Sequence, residues 1–573
     1  MPLDAKYFTR PKADWQRRYE ALRTSFVDRL PAKVVGDRFG YTQAYVHLLR
    51  HQFRNRKIDF GEPPAEGKAS RRRITRDVRQ KIRDWRERRL SAGDIVELLS
   101  DAGVEISVST VERVLAEEGF PKLPRRTSLK MGVTVKGAQV PEKSHMATLA
   151  ALDAQSFESA GAGVWLFAPF LAQLDIAAIV RNARLPGTKT MPATSYLLSF
   201  LALKLLGTER YAHVGDHSFD QGLGLFCGLN VLPKVTTMST YSYGLDEVHI
   251  HRLQSSFVKS AIKLGLYDGK VVNLDFHSIP HFGEDSVLEK HWTGARGKGM
   301  KGALTLFAQD AESKLLLYTA ADIRRAEADD QVTDFIAFWR RVWRGASPKL
   351  VFDSRFTSYP KLSELNAARI KFITLRRRGA ALLRAVDNLE GWQRIHVPHA
   401  KRKYPNPQVH ESTIALRGYE GQLRQLIVRG NGHEKPAFLI SNDHEADVAT
   451  LVGNYARRWR VENGIAEAVK FFNLNALSSP ILTKVHFDVV LTAIADTLYT
   501  MLARKLRGYE DCNAPKLFRH FIEGKAAVRV QGSKVEVTYP RRAHNPILRQ
   551  IPWANLPMRL PAHPGADLQL RFL

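Results

Sequence analysis

The run Val271-Val272-Asn273-Leu274-Asp275-Phe276, continued by His277 and Ser278, is an apolar, β-branched stretch that reads as a strand and carries a carboxylate inside it. Eighty residues later Leu350-Val351-Phe352 is a second short apolar run, and it ends on Asp353. A third acid, Glu462, lies on the Arg-rich helical run Tyr455-Ala456-Arg457-Arg458-Trp459-Arg460-Val461-Glu462. Two acids on strands and one on a basic helix suit the holding of divalent metal ions against a phosphodiester.

Working outward from Asp275, strand patterns cover residues 271–276, 303–309 and 315–320, separated by Gly/Lys-rich or Asp/Ser turns. A helical pattern over about 329–343, a strand at 350–352, a helix at 361–368 and a strand at 372–375 follow. The order βββαβαβ predicts an α/β, RNase H-like mixed sheet. In such a sheet neighbouring parallel strands end at one edge, where ligands collect. Two carboxylates rarely fix two Mg²⁺ ions about 3.5 to 4 Å apart, so a third acid is required from elsewhere. On a regular helix Tyr455, Arg458 and Glu462 fall within about 60° of one another, which makes Glu462 the choice. Arg458 can grip phosphate as a planar fork, and Tyr455 can stack or hydrogen-bond at a DNA end.

The chain has 573 residues, with 86 Lys plus Arg against 58 Asp plus Glu, a formal net charge of +28 that favours a polyanionic partner. Within the first 130 residues 29 basic residues face 18 acidic ones. Two helix-turn-helix patterns lie there. In the first, residues 32–38 form a helix, Phe39-Gly40-Tyr41 the turn, and Thr42 caps a helix reaching about Phe53. In the second, the helix over 92–102 stops at Gly103, and Ser107 or Ser109 caps a helix through Glu118. Between them residues 71–89 hold ten basic and three acidic residues, with Ile74, Val78, Ile82 and Trp85 on one helical face and a cationic outer face able to clasp phosphates.

At this point the chain resembles the DDE transposases of bacterial insertion sequences, specifically the IS4-like superfamily, over roughly residues 195–505. The resemblance rests on Asp275-Phe276-His277-Ser278-Ile279-Pro280 and its continuation to Asp285, on the stretches 349–359 and 371–378, and on 455–470. The family signature is Tyr, two residues, Arg, three residues, Glu, six residues, Lys. Tyr455, Arg458 and Glu462 match it, whereas seven residues separate Glu462 from Lys470 and Val469 takes the expected place. A regular helix turns Lys470 by 100° from that position, so its DNA contact would need a bulge or a long reach. The resemblance implies Mg²⁺-dependent strand cleavage and strand transfer, with Asp275, Asp353 and Glu462 as catalytic metal ligands for two ions, Mn²⁺ being a possible substitute. It also implies double-stranded DNA as partner, both terminal inverted repeats and target, and a dimer assembled on DNA. The rivals are a non-catalytic DNA-binding descendant and an RNase H-like nuclease that cuts without joining.

The expected organisation is a first helix-turn-helix region at 1–62, a second with the basic helix at 68–125, a linker at 126–145 and a helical domain at 146–268. The catalytic core follows at 269–378 and 450–505, split by a β-rich insertion at 379–449, and an accessory segment closes the chain at 506–573. Within the insertion Trp392 is a candidate for stacking on a DNA base, against the alternative of a buried Trp. His277 and His281 support the metal ligands rather than join them, since Mg²⁺ prefers oxygen. The Gly-rich stretch 294–302 lacks the ending of a nucleotide-binding loop and reads as a basic hairpin beside DNA. Cys227 and Cys512 are the two cysteines, too few for a disulfide framework or a Cys-based zinc site. The N-terminus lacks a signal-peptide pattern and the apolar run 489–502 is interrupted by Asp496, so no membrane span and a cytoplasmic, nucleoid-associated location are expected.

Overall fold

The computed structural model describes residues 8, 11, 13–55, 58, 60, 74–88, 90–120, 142–282, 288–293, 297–321, 323–354, 358–397, 405–430, 432, 434–476 and 482–573. The chain divides into two compact units, Met1–Ala138 and Gln139–Leu573.

The smaller unit is helical. Asp14–Phe26, Ala32–Phe39 and Gln43–Arg54 close on a core of Ala21, Ala32, Val35, Phe39 and Val46. Two features set the turn between the last two helices. Gly40 takes a left-handed φ of 71°, and the Thr42 hydroxyl accepts a hydrogen bond from the Tyr45 N–H at 3.2 Å. Gly36 is needed for a different reason: a Cβ there would lie 2.5 Å from the Tyr41 carbonyl oxygen. A second trio, Arg76–Glu87, Ala92–Asp101 and Val108–Glu117, closes on Ile82, Ile95, Leu99, Val111, Val114 and Leu115. Ser91 and Asp94 form a reciprocal capping box, and Ser107 caps the third helix. Residues 126–141 of the expected linker, 121–125 before it, and all of 61–73 lie outside the described residues.

The larger unit begins with β1 (Ser156–Ser159) and a series of apolar helices, of which Ala193–Leu205 and Glu247–Lys263 are the longest. The central sheet then forms from β2 (Val271–Pro280), β3 (Lys290–Thr293), β4 (Lys298–Asp310), β5 (Leu316–Ala320), β6 (Lys349–Val351) and β7 (Phe372–Leu375). β2, β4 and β5 make an antiparallel meander, β6 pairs parallel with β2, and β7 parallel with β6. The resulting order β5-β4-β2-β6-β7 is that of an RNase H-like sheet. β3 extends the exposed end of β4 as a two-stranded ribbon.

The expected insertion does not stand apart from this sheet. β8 (Gln393–Arg394), β9 (Gln408–Ile414), β10 (Leu423–Arg429) and β11 (Ala437–Ser441) continue it beyond β7, with β11 antiparallel to β7. Every backbone group on the free edge of β7 therefore finds a partner in the returning chain.

The C-terminal accessory segment builds a second sheet. β12 (Ala526–Gln531), β13 (Lys534–Tyr539), β14 (Arg559–Leu560) and β15 (His563–Phe572) form a five-stranded sheet with β1, in the order β1-β12-β13-β15-β14. Val528, Val530, Val535, Val537 and Leu568 of this sheet share one hydrophobic core with Trp165, Leu201, Leu274 and Leu498. The helix Leu482–Ala503 runs through that core. It is long and apolar enough to cross a membrane, yet 83% of its most apolar window is buried inside the protein, which accounts for its composition.

Candidate active site

Strand alternation sorts the central sheet into two faces. Val272 and Leu274 of β2, with Leu350, Phe352 and Phe372, enter the main core, while Val351 and Ile373 pack in a separate cluster with Leu451 and Val452 of the helix Val448–Arg457. Val271 and Tyr455 border that second cluster. Period-two geometry therefore puts Asn273 and Asp275 on the face that Val448–Arg457 covers, together with Asp353 two residues after Val351.

The parallel register fixes the first two acids. Asn273 of β2 pairs with Val351 of β6, so Asp275 and Asp353 each lie two residues further along their strands. The Phe352 N–H still bonds to the Ile373 carbonyl at 3.1 Å, and Asp353 follows where the pairing ends. The Ser354 hydroxyl donates to Asp353 Oδ1 at 3.0 Å, and the Phe276 N–H donates to Asp275 Oδ1 at 3.0 Å.

The third acid arrives on a helix that is not continuous from Tyr455. One helix ends at Arg457, a second runs Trp459–Lys470, and Arg458 stands at the junction. Its N–H bonds back to the Tyr455 carbonyl at 3.0 Å, an i to i−3 tightening that turns the side chain toward the sheet. Arg458 Nη1 lies 3.4 Å from Asp275 Oδ2, and Nη2 donates to Glu462 Oε1 at 2.6 Å. Its guanidinium carbon also stands 5.8 Å from the centroid of the Tyr455 ring. Asp275 and Glu462, the Arg and the Tyr are thereby brought into one charged cluster, with Asp353 on the neighbouring strand end. Glu462 is its outermost member, with a side chain 39% exposed against 18% for Asp275.

The electrostatics follow from burial and from like charge. Burial, reinforced by Glu462 and Asp353, pushes the Asp275 carboxyl up to about 6, although Arg458 pulls the other way. Burial lowers the Arg458 guanidinium, but Tyr455, Asp275, Glu462 and Asp353 outweigh it and the net direction is up. Burial raises the Tyr455 phenol to about 12, so it remains a neutral donor at neutral pH.

Among the described residues no group of three or more His, Cys, Asp or Glu side chains is drawn close enough to hold a metal ion, and the single cation among these acids is Arg458. The donor chemistry nevertheless fits a hard dication. Asp275 and Glu462 share Arg458, Asp353 acts on both Asp275 and Arg458 through its charge, and the buried Asn273 Oδ1, two residues from Asp275, has no hydrogen-bond partner in the protein.

Other expected residues fall elsewhere. His277 Nε2 donates to Asn475 Oδ1 at 2.9 Å, and burial lowers its basicity. Lys470 is the exposed last residue of its helix, while Val469 packs against the main core. Trp392 packs with Val386, Ile427 and Phe438, donates its indole N–H to the Leu389 carbonyl at 2.8 Å, and carries Arg429 3.8 Å above its ring. No site residue is among those contacts. The tip of the 294–302 hairpin lies outside the described residues.

Sequence reasoning passed over two features. Trp292 on β3 is 63% exposed, and its register partner on β4 is Gly299. Lys204 donates to the Phe472 carbonyl and to Asp488, both at 2.8 Å, and so ties down the chain just after the Glu462 helix. A lysine inside an apolar helix was the available signal for the second; nothing local marked the first.

No curated protein matches the chain. Among solved structures, the crystal structure of the Mos1 Strand Transfer Complex is similar over 64% of this chain and 78% of that one, at 10% identity and a TM-score of 0.12, too slight a likeness to bear on fold or function. Residues 262–498, the span that contains Asp275, Asp353, Arg458 and Glu462, match the model of the family described as Transposase DDE domain.

Proposed function

We propose that the protein is an insertion-sequence transposase of the IS4-like kind, which binds terminal inverted repeats and carries out metal-dependent DNA cleavage and strand transfer. The observation that carries this reading is the pairing of Asp275 and Glu462 with Arg458, beside Asp353 on the adjacent parallel strand, at one edge of an RNase H-ordered sheet. Asp275, Asp353 and Glu462 would hold two Mg²⁺ ions, or Mn²⁺ in their place, which supply activation of a water or 3′-hydroxyl and stabilisation of the leaving 3′-oxygen. Arg458 presents a planar fork to a phosphate, and Tyr455, kept neutral, offers a hydrogen bond at the DNA end. Lys470 contributes an exposed cation at the end of the same helix. The three acids lie on three separate elements, so the sheet register and the Arg458 junction hold their spacing rather than any flexible loop. Joining two transposon ends requires two protomers on DNA, and the substrate places the protein at the bacterial nucleoid.

The test is incubation of the purified protein with Mg²⁺ and a supercoiled plasmid carrying the element's flanking DNA, with Asp353→Asn alongside. End cleavage and joined products that vanish in the variant are the expected result. Binding without metal-dependent cutting would indicate a DNA-binding descendant, and cutting without joining a nuclease.

A further inference from the structure

The two helical trios of the N-terminal unit share an architecture but not a surface. In the first, the helix Gln43–Arg54 turns Val46 and Leu49 into the core and leaves Gln43, Ala44, His47, Leu48, His51 and Arg54 exposed along one face. That helix contains no acid. Its exposed face therefore offers amide, imidazole, methyl and guanidinium groups, the kinds of side chain that bond to base edges or touch a thymine methyl in the major groove. Arg50, one turn behind, is tied to the Leu30 carbonyl at 2.8 Å and helps fix the helix against the preceding loop.

The corresponding helix of the second trio, Val108–Glu117, exposes Ser109, Glu112, Arg113, Ala116 and Glu117. Glu118 follows at its end. Its arginine is paired internally, with Arg113 3.4 Å from Glu117. Glu117 and Glu118 also take up the two arginines facing them: Arg79 lies 2.8 Å from Glu117 and 3.2 Å from Glu118, and Arg83 2.5 Å from Glu118. Seating this helix in a groove would bring Glu112 and Glu117 against two rows of phosphates, and swinging Arg79 or Arg83 outward to DNA would leave Glu118 bare.

We infer that sequence reading of duplex DNA belongs to the first trio alone, through Gln43 and His47 on the acid-free helix, and that the second trio does not insert its last helix into a groove. This rests on the end-recognition part of the proposed function. The opposed charge of two otherwise similar helices is the observation behind it.

The experiment selects binders from a pool of random-sequence DNA duplexes with the full-length protein and sequences what is retained. Wild type is compared with the double variants Gln43→Ala/His47→Ala and Ser109→Ala/Arg113→Ala, each checked for unchanged helix content by circular dichroism. The expected result is a motif enriched by wild type, reduced roughly tenfold or more by Gln43→Ala/His47→Ala, and changed less than about twofold by Ser109→Ala/Arg113→Ala. A motif that survives the first variant, or that the second variant removes, overturns the inference while leaving end recognition standing. Failure of wild type to enrich any motif overturns both.

Discussion

Asp275 and Asp353 are register neighbours: each lies two residues beyond the paired residues Asn273 and Val351 of adjacent parallel strands. Their separation is thus a property of the sheet, about one interstrand spacing of 4.8 Å between backbones, and not of a loop. Replacing one carboxylate by its amide should preserve that frame while removing a charge. Asp353→Asn is expected to lower cleavage by on the order of 10³-fold or more, given that loss of one positioned transition-state stabiliser is already worth roughly 10²–10³. Binding of end DNA, followed by gel shift in EDTA, should change little; loss of cleavage and binding together would sink the assignment of Asp353.

Asp275 makes the metal-free protein sensitive to pH. Its folded carboxyl is raised from 3.8 to about 6, so the folded state holds the proton more tightly than the unfolded chain between those values. Stability should therefore fall as pH rises from about 4 to about 6 and stay low above, by at most about 3 kcal/mol from this group. In EDTA, Asp275→Asn should melt higher than wild type at pH 8 and equal to it at pH 4. The reverse ordering at pH 8 would mean that the Arg458 pair outweighs burial and like charge.

Arg458 occupies the centre of the same charge cluster, 2.6 Å from Glu462 and 3.4 Å from Asp275. A cation placed there opposes a second cation. A unit charge about 4 Å away contributes up to about 4 kcal/mol at an effective dielectric of about 20. Arg458→Gln is accordingly expected to bind Mn²⁺ roughly tenfold more tightly in the absence of DNA, read by electron paramagnetic resonance of free Mn²⁺. Unchanged or weaker binding would show that the guanidinium moves away at no cost. The same substitution should weaken binding of end DNA.

How far the chain could be read before folding varies with the kind of information involved. The strand 372–375 begins and ends where its apolar run does, because a buried strand bounded by turn residues carries its limits locally. Gly40 and Thr42 were legible for the same reason, since a left-handed turn and an N-cap each need particular side chains, while the second cap stayed open between Ser107 and Ser109 and falls on Ser107. Pairing across long distances was not: nothing around Ser156 announces that its strand will meet Arg529. Nor did the pattern show that β11 would return to β7. At the site, the spacing of Tyr455, Arg458 and Glu462 was visible, but the helix junction at Arg458 was not, because a one-residue tightening leaves hydrophobic periodicity almost intact.

Trp392 illustrates a residue type whose role depends on its neighbours. With its N–H bonded to Leu389 and its face under Arg429, the ring belongs to the small core of β10 and β11. Trp392→Ala should cost about 2 to 4 kcal/mol of stability. Trp292, exposed at 63%, offers the contrasting case: Trp292→Ala should leave the melting temperature within a degree or so. If Trp392→Ala instead melts like wild type and loses only DNA affinity, the stacking role considered from the sequence would be restored.

The C-terminal 68 residues should prove inseparable from the rest of the larger unit. β12 pairs along the whole of β1, and Tyr539 donates its hydroxyl hydrogen to the Ala162 carbonyl at 3.0 Å. At Gly163 the fit is closest, since a Cβ there would fall 1.9 Å from the Ile522 carbonyl oxygen. That contact is with backbone, so neither a rotamer change nor a small side-chain shift relieves it, and the whole segment around Ile522 would have to move. Gly163→Ala is expected to destabilise by about 3 kcal/mol or more, at the upper end of overpacking costs. A chain ending at Leu506 would expose the faces of Trp165, Phe226 and Leu223 that pack in the shared core, and should be recovered only as aggregate. A soluble truncated chain with native melting behaviour would instead establish the segment after Leu506 as a separable module, a result that the common core of β1, β12 and β13 argues against.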